Sequence, residues 1–585
     1  MTGRQRNSSP AKLAVEGSSP RDDDGLALAT VVGAAFVLSI LVLAMVQAVI
    51  GQQGLARSDQ DWQASLAAAE AGIDDYLFRL NENPNYYLGA PSDGNEAFDK
   101  LVPVPGAPSD AEFTYEVDTS EVAVTGALKI TASGKVRGRH RTITSVLRKR
   151  GFLDYLYFTN FETMDPARYD GNPFTPSQAQ QHCAKWYYAG RHPSCTNIWF
   201  YSGDTINGPL HSNDAIRISG TPTFNDDVST SYDNSSGPNY VPYGGNFGDN
   251  NPSFATSGDP HVQQVLTMPP SNAGIKARTD WRIDGTGCLF TGPTRIMFVD
   301  DAKLWVSSPF TRDVGPHCDF TPVLTTEANG VNFGIAYPEN GVIYVQNVPA
   351  DPADPNYNNG CRWPNGGQVR GNHPFRRTNR TYDGSLVEMR FQYFRRWSDI
   401  TRPGCTDGDA FVQGPANGSA VIDGQVTIAA ENDIVITGDL RYKDDTAGTD
   451  VLGLVANNSV EVYHPVNSGG NNVTLPNSFI NGLLDNITIQ AAILSLQHSF
   501  TVQNYQYGNP LGDLTVEGAI AQQYRGPVGT FNGWTGQQVS GYDKVYIYDN
   551  RLKYLSPPYF LDPVESAWQQ STWEENKPAD LPGGG

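Results

Sequence analysis

The sequence is short of charge, and its charge leans one way: 18% of 585 residues are charged, 41 Lys and Arg against 62 Asp and Glu. A net charge of −21 excludes a protein that coats nucleic acid through its overall charge. Cysteine is scarce, six residues with no CxxC pair, so zinc-site and redox-motif readings have little support. HExxH, a Walker phosphate loop, a GxSxG elbow and a GxGxxG opening a helix are all missing. The expectation is therefore no cofactor, no metal and no catalytic residue. Long apolar runs are also missing, except at one place near the N-terminus.

What is present in quantity is turn and ring: 59 Gly, 40 Pro and 11% aromatic residues. That composition suits a folded, turn-rich β protein better than a disordered chain or a helical bundle. The length allows about three or four structural units.

The exceptional run is Leu26 to Ile50, 25 residues without a charge. As a helix it would span about 37 Å, enough to cross a hydrocarbon core of about 30 Å. Arg4, Arg6, Lys12 and Arg21 precede it, whereas Arg57 follows among Asp59, Asp61, Glu70, Asp74 and Asp75. Counting Lys and Arg, the N-terminus stays in the cytoplasm and the bulk of the chain lies outside. A secretory signal peptide is the alternative, but its apolar core is shorter. Beyond the run, Leu55, Trp62, Leu66, Ala69, Ile73, Leu77 and Leu80 continue at helical spacing around LAAAEAG. One helix is expected to run from Leu26 to about Leu80, stopped at Asn81-Glu82-Asn83-Pro84.

A polar leader, Gly25, a long uncharged helix and an AAEAG-type amphipathic continuation resemble the N-terminus of type IV pilins, and of PilX-type accessory or minor pilins in particular. The resemblance covers about 60 residues of the chain. It implies cleavage by a prepilin peptidase between Gly25 and Leu26, methylation of the new terminus, and packing of the helix among other pilin subunits. It also implies residence in the bacterial cytoplasmic membrane before assembly and at the cell surface or pilus afterwards. Two positions depart from the family pattern: Leu26 stands where Phe is usual, and Thr30 where a Glu is usual. In the family that Glu pairs with a neighbouring subunit's N-terminus, so Thr30 fits a minor rather than a major subunit.

After the helix the pattern turns to period two in FTYEV, GALKITASGKV and RTITSVL, the strands of a small antiparallel sheet. Lys135, Arg137, Arg139 and Arg141 alternate there, so one strand would carry all four on one face. They are a candidate polyanion stripe for DNA or another anionic polymer, or else a solvated face protecting a sheet edge. A second basic cluster, including Arg376, Arg377, Arg395 and Arg396, is interleaved with aromatic residues that could stack on bases or sugars.

All six cysteines follow the apolar run, as a disulfide framework in an exported region requires. Pairing of neighbours is favoured, Cys183–Cys195, Cys288–Cys318 and Cys361–Cys405, with each loop pinned to a β scaffold. From about Phe411 short strands recur between Gly, Asn and Asp, and INGPLHSNDAIRISGTPTF, GPTRIMFV and NGVIYV share their texture. This spacing suits a β-solenoid, with a β-sandwich as the alternative. Gly208 to Asp214 and the closing GYDKVYIYDNRL…PPYF also resemble regions that accompany PilX-type helices in large bacterial surface proteins.

His211, Ser212 and Asp214 have the residue types of a hydrolytic triad, but their adjacency favours a turn. Asp433 and Asp439 do not stand out among 62 acids as a carboxylate pair. The loop Asp444 to Asp450 reads as calcium-binding or, better, as solvated.

The expected fold class is α+β, mainly β. Its parts are a leader (1–25), a transmembrane helix (26–50), its amphipathic continuation (51–82), a pilin-like β region (83–151), a loop-rich disulfide-bearing region (152–410), a repetitive β region (411–560) and a tail (561–585). The expected function is that of a minor pilin or pilin-like surface component displaying a large β module, with adhesion as its use. The alternatives are a single-pass membrane-anchored binding protein with no pilus role, and a polysaccharide-acting enzyme on a β-helix.

Overall fold

A computed structural model describes residues 24–358 and 407–576, apart from 84, 90–93, 108–109, 121, 123–125, 150, 246–248, 257, 309, 321–330, 416–417, 467–469, 473–484, 533–536 and 565–567. It has an N-terminal apolar helix followed by mostly β structure. Helix α1, Asp24–Glu82, is continuous over 59 residues and so about 88 Å long. It ends two residues before Pro84, as the proline's restriction on its predecessor leads one to expect.

The far half of α1 lies on a small antiparallel sheet of β1 (Val102–Pro103), β2 (Ala111–Asp118), β3 (Ala127–Val136) and β4 (Arg139–Lys149). Two further strands come from the end of the chain. Trp568–Gln570 and Glu574–Asn576 both pair antiparallel with β4. Within the region expected to be a tail, 561–585, residues 568–570 and 574–576 are thus paired strands. Those residues cover the β4 edge, which would otherwise present unpaired backbone groups.

Beyond the sheet the strands stack in parallel. Cys288–Thr291, Val342–Gln346, Gln425–Ala430, Val451–Ala456, Thr488–Ser495 and Pro510–Tyr524 form one ladder, each pairing with the next. Thr294–Val299, Ala410–Gln413, Ile434–Ile436, Val460–Val462 and Phe500–Val502 form a second. In three successive layers the chain crosses from the first ladder to the second at a short polar corner, at residues 431–433, 457–459 and 496–499. Corner groups repeat with the layers: the Ser459 amide donates to Asp433, 26 residues earlier, and Asn458 reaches Asn432 over the same offset. Inward residues such as Ile428, Leu454, Ile493 and Ile520 share one buried core. The parallel pairing differs from the antiparallel sheets of an immunoglobulin-type sandwich. The ladders also draw strands from both sides of residue 411, so no boundary falls there.

Chain order and stacking order differ. Pro510–Tyr524 is bordered on its outer edge by two strands at once: Gln538–Tyr548 along its first part and Tyr157–Phe161 along its last. This composite layer joins the beginning and end of the module. Onto it stack Thr205–Asn207 with Leu210–Ser212, then Thr223–Phe224 with Val228–Thr230, then Ser253–Phe254 with His261–Val262. The chain then returns along the outside of the stack to start again at Cys288. The returning segment is pinned by Asn272, whose amide group donates to the Ala430 and Val455 carbonyls and accepts from the Tyr344 hydroxyl. Beneath it Ala429, Val455, Leu494 and Ala521 form a second apolar layer with Leu266 and Ile275. Strands buried on both faces read as continuous apolar runs, which explains why these lack a clean alternation.

The disulfides Cys183–Cys195 and Cys288–Cys318 are formed as expected. Cys361 and Cys405 lie outside the described residues.

Arg525, at the end of the long strand, makes a 2.9 Å pair with Glu162. Both are buried, and the Arg525 guanidinium lies 3.6 Å from the Phe200 ring centroid. Arg525→Met would leave Glu162 charged and uncompensated, at a cost of roughly 3–5 kcal/mol. The expected result in urea is one earlier transition, with hydrogen exchange rising together in residues 157–230 and 488–548. Exchange confined to residues 522–526 would show that the layer does not couple the two stretches.

Candidate functional site

The first half of α1 is the largest apolar surface that the described fold leaves uncovered. Leu28–Gln47 is long and apolar enough to cross a membrane, and none of it is buried within the protein. Its Ser39 hydroxyl donates to the Ala35 carbonyl at 2.7 Å, so this polar group is satisfied inside the helix and needs no water. Gly25 and Leu26 lie in the first turn of the helix.

The second half is held by close packing. Ala69, Ile73, Tyr76 and Leu80 are buried against Phe113, Tyr115, Ile130, Ala132, Ile143 and Leu147 of the sheet, and Ala68 against Ala111 and Val136. The predicted stripe named Ala69, Ile73 and Leu80 but missed Tyr76, which meets Tyr115 at 5.5 Å and Phe98 at 6.0 Å between ring centroids. Trp62, predicted to be in the stripe, is instead exposed, and the Arg141 guanidinium sits 5.0 Å from its ring centroid.

Small residues set the approach of helix to sheet. A Cβ on Gly134 of β3 would stand 2.2 Å from the Ala69 amide nitrogen and 2.3 Å from the Ser65 carbonyl oxygen. A Cβ on Gly72 would meet the Phe113 ring at 3.0 Å. The Ala- and Gly-rich stretch therefore serves backbone contact as well as helix propensity. Gly134 was legible only as a glycine inside a strand, a usual sign of close backbone approach.

A polar network fixes the end of the helix. The Tyr115 hydroxyl donates to Asp75 at 2.8 Å and accepts from Asn95 at 2.6 Å. Burial pushes that hydroxyl well above its ordinary pKa, and the hydrogen bond with Asp75 raises Arg79. Asn81 pairs with both backbone groups of Trp568, accepting at 2.7 Å and donating at 3.1 Å. The helix terminus and the closing strand thus hold each other.

The basic stripe is not one strand face. Lys135 lies on β3, whereas Arg137, at a φ of 56°, and Gly138 make the turn into β4. Arg137 binds Asp110 at 2.6 Å and Asp61 at 3.1 Å, tying the turn to the helix. Arg139 donates to Ser58 at 2.8 Å, and Arg141 grips Glu575 with two bonds of 2.6 and 2.5 Å. Three of these four residues therefore clamp helix, sheet and closing strand together. Arg376, Arg377, Arg395 and Arg396 lie outside the described residues.

The suspected triad is likewise structural. His211 sits 2.9 Å from Ser229 Oγ and 3.0 Å from Asn213 Oδ1, and Ser212 donates to Glu162 at 3.2 Å. Asp214 accepts from the Glu162 amide at 2.9 Å and the Tyr187 amide at 2.6 Å and pairs with Arg191. All four residues from His211 to Asp214 are fully buried. Asp433 and Asp439 accept the amides of Ser459 and Thr488, joining layers. In the acidic loop, Asp450 accepts the Gly424 and Asp444 amides at 2.7 and 3.1 Å. Among the described residues no group of three or more His, Cys, Asp or Glu is arranged to hold a metal.

No protein-family model and no curated protein matches the sequence. Among solved structures, the chain is similar to the crystal structure of the competence-associated pilin ComZ from Thermus thermophilus. The identity is 12%, with 88% of this chain and 97% of that chain covered, at a TM-score of 0.27.

Two outcomes are expected. Gly134→Leu forces the helix off the sheet and costs about 3 kcal/mol or more, read as a lowered melting temperature of the full chain in detergent. An unchanged melting temperature would mean that α1 does not rest on β3. The second concerns acid: hydrogen bonding to Arg141 holds Glu575 below the ordinary 4.5. Its contribution is complete above that value and lost as pH falls through the lower folded value. Exchange protection of residues 574–576 is expected to fall on acidification below about pH 4. In Glu575→Gln that acid step disappears.

Proposed function

We propose that this chain is a structural and interaction protein rather than an enzyme: a pilin-like component of a type IV pilus-related fibre, in the manner of PilX-type minor pilins. The observation that carries the reading is helix α1 itself. One half is apolar, exposed and internally satisfied, and the other half is fixed to a small sheet by close backbone packing. Such a helix can sit in a bilayer with its N-terminus in the cytoplasm and later exchange lipid for the helices of neighbouring pilin subunits. Van der Waals packing drives that exchange, since lipid tails are as apolar as leucine. A prepilin peptidase would cut between Gly25 and Leu26. Thr30 would leave a neighbour's N-terminus without a carboxylate from this chain, consistent with a subunit present in few copies.

On this reading the stacked parallel layers are a β-solenoid displayed outside the cell, and adhesion is its use. The disulfides support exposure to an oxidising compartment.

N-terminal sequencing of the protein recovered from envelopes of cells with and without a prepilin peptidase tests the proposal. The expected mature terminus is Leu26 when the peptidase is present and Met1 when it is absent. A terminus at Met1 in both strains, or a cut far from Leu26, would overturn the pilin reading and leave a single-pass anchored protein.

A further inference from the structure

The loop closed by Cys183–Cys195 carries Trp186, Tyr187 and Tyr188 in succession. Its backbone is seated firmly. The Tyr187 amide donates to Asp214, the Tyr188 hydroxyl donates to the Asn213 carbonyl at 2.9 Å, and the Trp186 indole donates to Asn160 at 3.1 Å. The rings remain outside the core: Tyr187 and Tyr188 are 39% and 41% exposed. Tyr188 lies between Trp186 and Tyr232, at 5.6 and 6.2 Å between centroids and within 26° of parallel. A disulfide and a buried carboxylate thus hold aromatic side chains at the surface.

Beside the loop runs the strand Ile216–Ser219, which sends Ile216 and Ile218 into the core and Arg217 to the opposite face. The Arg217 guanidinium lies 4.4 Å from the Tyr187 ring centroid and 5.4 Å from that of Trp199. Trp199 in turn meets Tyr243 at 5.2 Å, and Tyr243 is 59% exposed. Arg217 itself is 94% buried, its Nε has no hydrogen-bond partner, and it makes no ion pair among the described residues. Its buried neighbours are matched, Arg191 by Asp214 and Arg525 by Glu162. Burial pushes the Arg217 guanidinium down to about 10, so it is charged at neutral pH. A buried charge left without an anion is costly and is expected where an anion arrives.

We infer that this surface binds an acidic glycan, with a sugar carboxylate received by Arg217 and pyranose faces resting on the rings of Trp199 and Tyr243. A guanidinium presents donors in a fork that fits a carboxylate. Aromatic faces carry negative charge density that attracts the C–H groups of a sugar ring. A nucleic acid brings a phosphate on every nucleotide and calls for a row of cations. Here a single cation, Arg217, has no ion pair among the described residues, and Asp214 and Glu162, which act on it from a distance, are already paired with Arg191 and Arg525. A glycan with a carboxylate on some of its sugars suits that single charge, and a neutral glycan leaves it unmatched. The site stands apart from the pilus reading, because binding is measured on the isolated protein whatever happens to the leader.

The test is titration calorimetry on the full chain in detergent, with hexamers of galacturonic, glucuronic and mannuronic acid, maltohexaose and a thymidine hexanucleotide as probes. The expected result is binding of at least one uronic hexamer, with maltohexaose about tenfold weaker or worse. Arg217→Gln should weaken the uronic hexamer about tenfold or more, a typical loss for a charge-assisted pair. Tyr243→Ala alters an exposed ring and tests the surface independently if Arg217→Gln unfolds. No binding of any uronic hexamer would overturn the proposal. So would tighter binding of the thymidine hexanucleotide, or unchanged affinity in the variants that fold.

Discussion

The constraint on which the β module depends is a layer made from its two ends. Gln538–Tyr548 and Tyr157–Phe161 lie end to end along one edge of Pro510–Tyr524, and the next layer, Thr205–Asn207 with Leu210–Ser212, pairs in parallel with both. At the join, Arg525 and Glu162 meet in the buried core. A buried pair of this kind adds little net stability compared with apolar packing, but it tolerates no other partner. Its value here is specificity: a shifted register would leave both charges unmatched. The loop at Cys183–Cys195 hangs from the same neighbourhood through Asp214, so the aromatic surface inherits its rigidity from the join.

The platform under α1 rests on a different principle, the absence of side-chain atoms. Gly134 brings helix backbone and sheet together more closely than any alanine permits, and Gly72 leaves room for the Phe113 ring. Electrostatic clamps then close around that contact. Arg137, Arg139 and Arg141 connect the β3–β4 hairpin to the helix or to the closing strand. The arginine charge of the β3–β4 hairpin is therefore spent inside the molecule.

Much of this was legible. The apolar run and its amphipathic sequel gave the helix almost to the residue, because lipid length and helical period each constrain sequence strongly. Cys183–Cys195 and Cys288–Cys318 followed from proximity along the chain. The recurring short strands were visible through their Gly and Asn corners, and Asn432 and Asn458 stand at such corners. What stayed hidden was adjacency. Nothing in Tyr157–Phe161 announces that it sits beside Ile520–Tyr524, since pairing at that range is decided by the shape of everything between. Glu574–Asn576 has no β-branched residue, and its strand conformation is imposed by β4. The basic alternation misled because period two was carried through Gly138, itself a turn signal. Arg217 was one arginine among many until its neighbours came into view.

Entry to the module at Gly151–Leu156 and exit from it at Asp549–Asp562 lie side by side. The Tyr548 hydroxyl donates to the Leu153 carbonyl at 2.6 Å, and Asp562 would stand 2.7 Å from a Cβ on Gly151. The stack is therefore tethered at both of its chain ends to the same small sheet. Tension between the helix and a gripped outer layer is divided between one covalent line, through β4, and a second that ends in strands hydrogen-bonded to β4. Neither end layer can unspool, because each is an interior stretch of chain. The module is therefore a loop closed at the small sheet rather than a thread drawn from a reel.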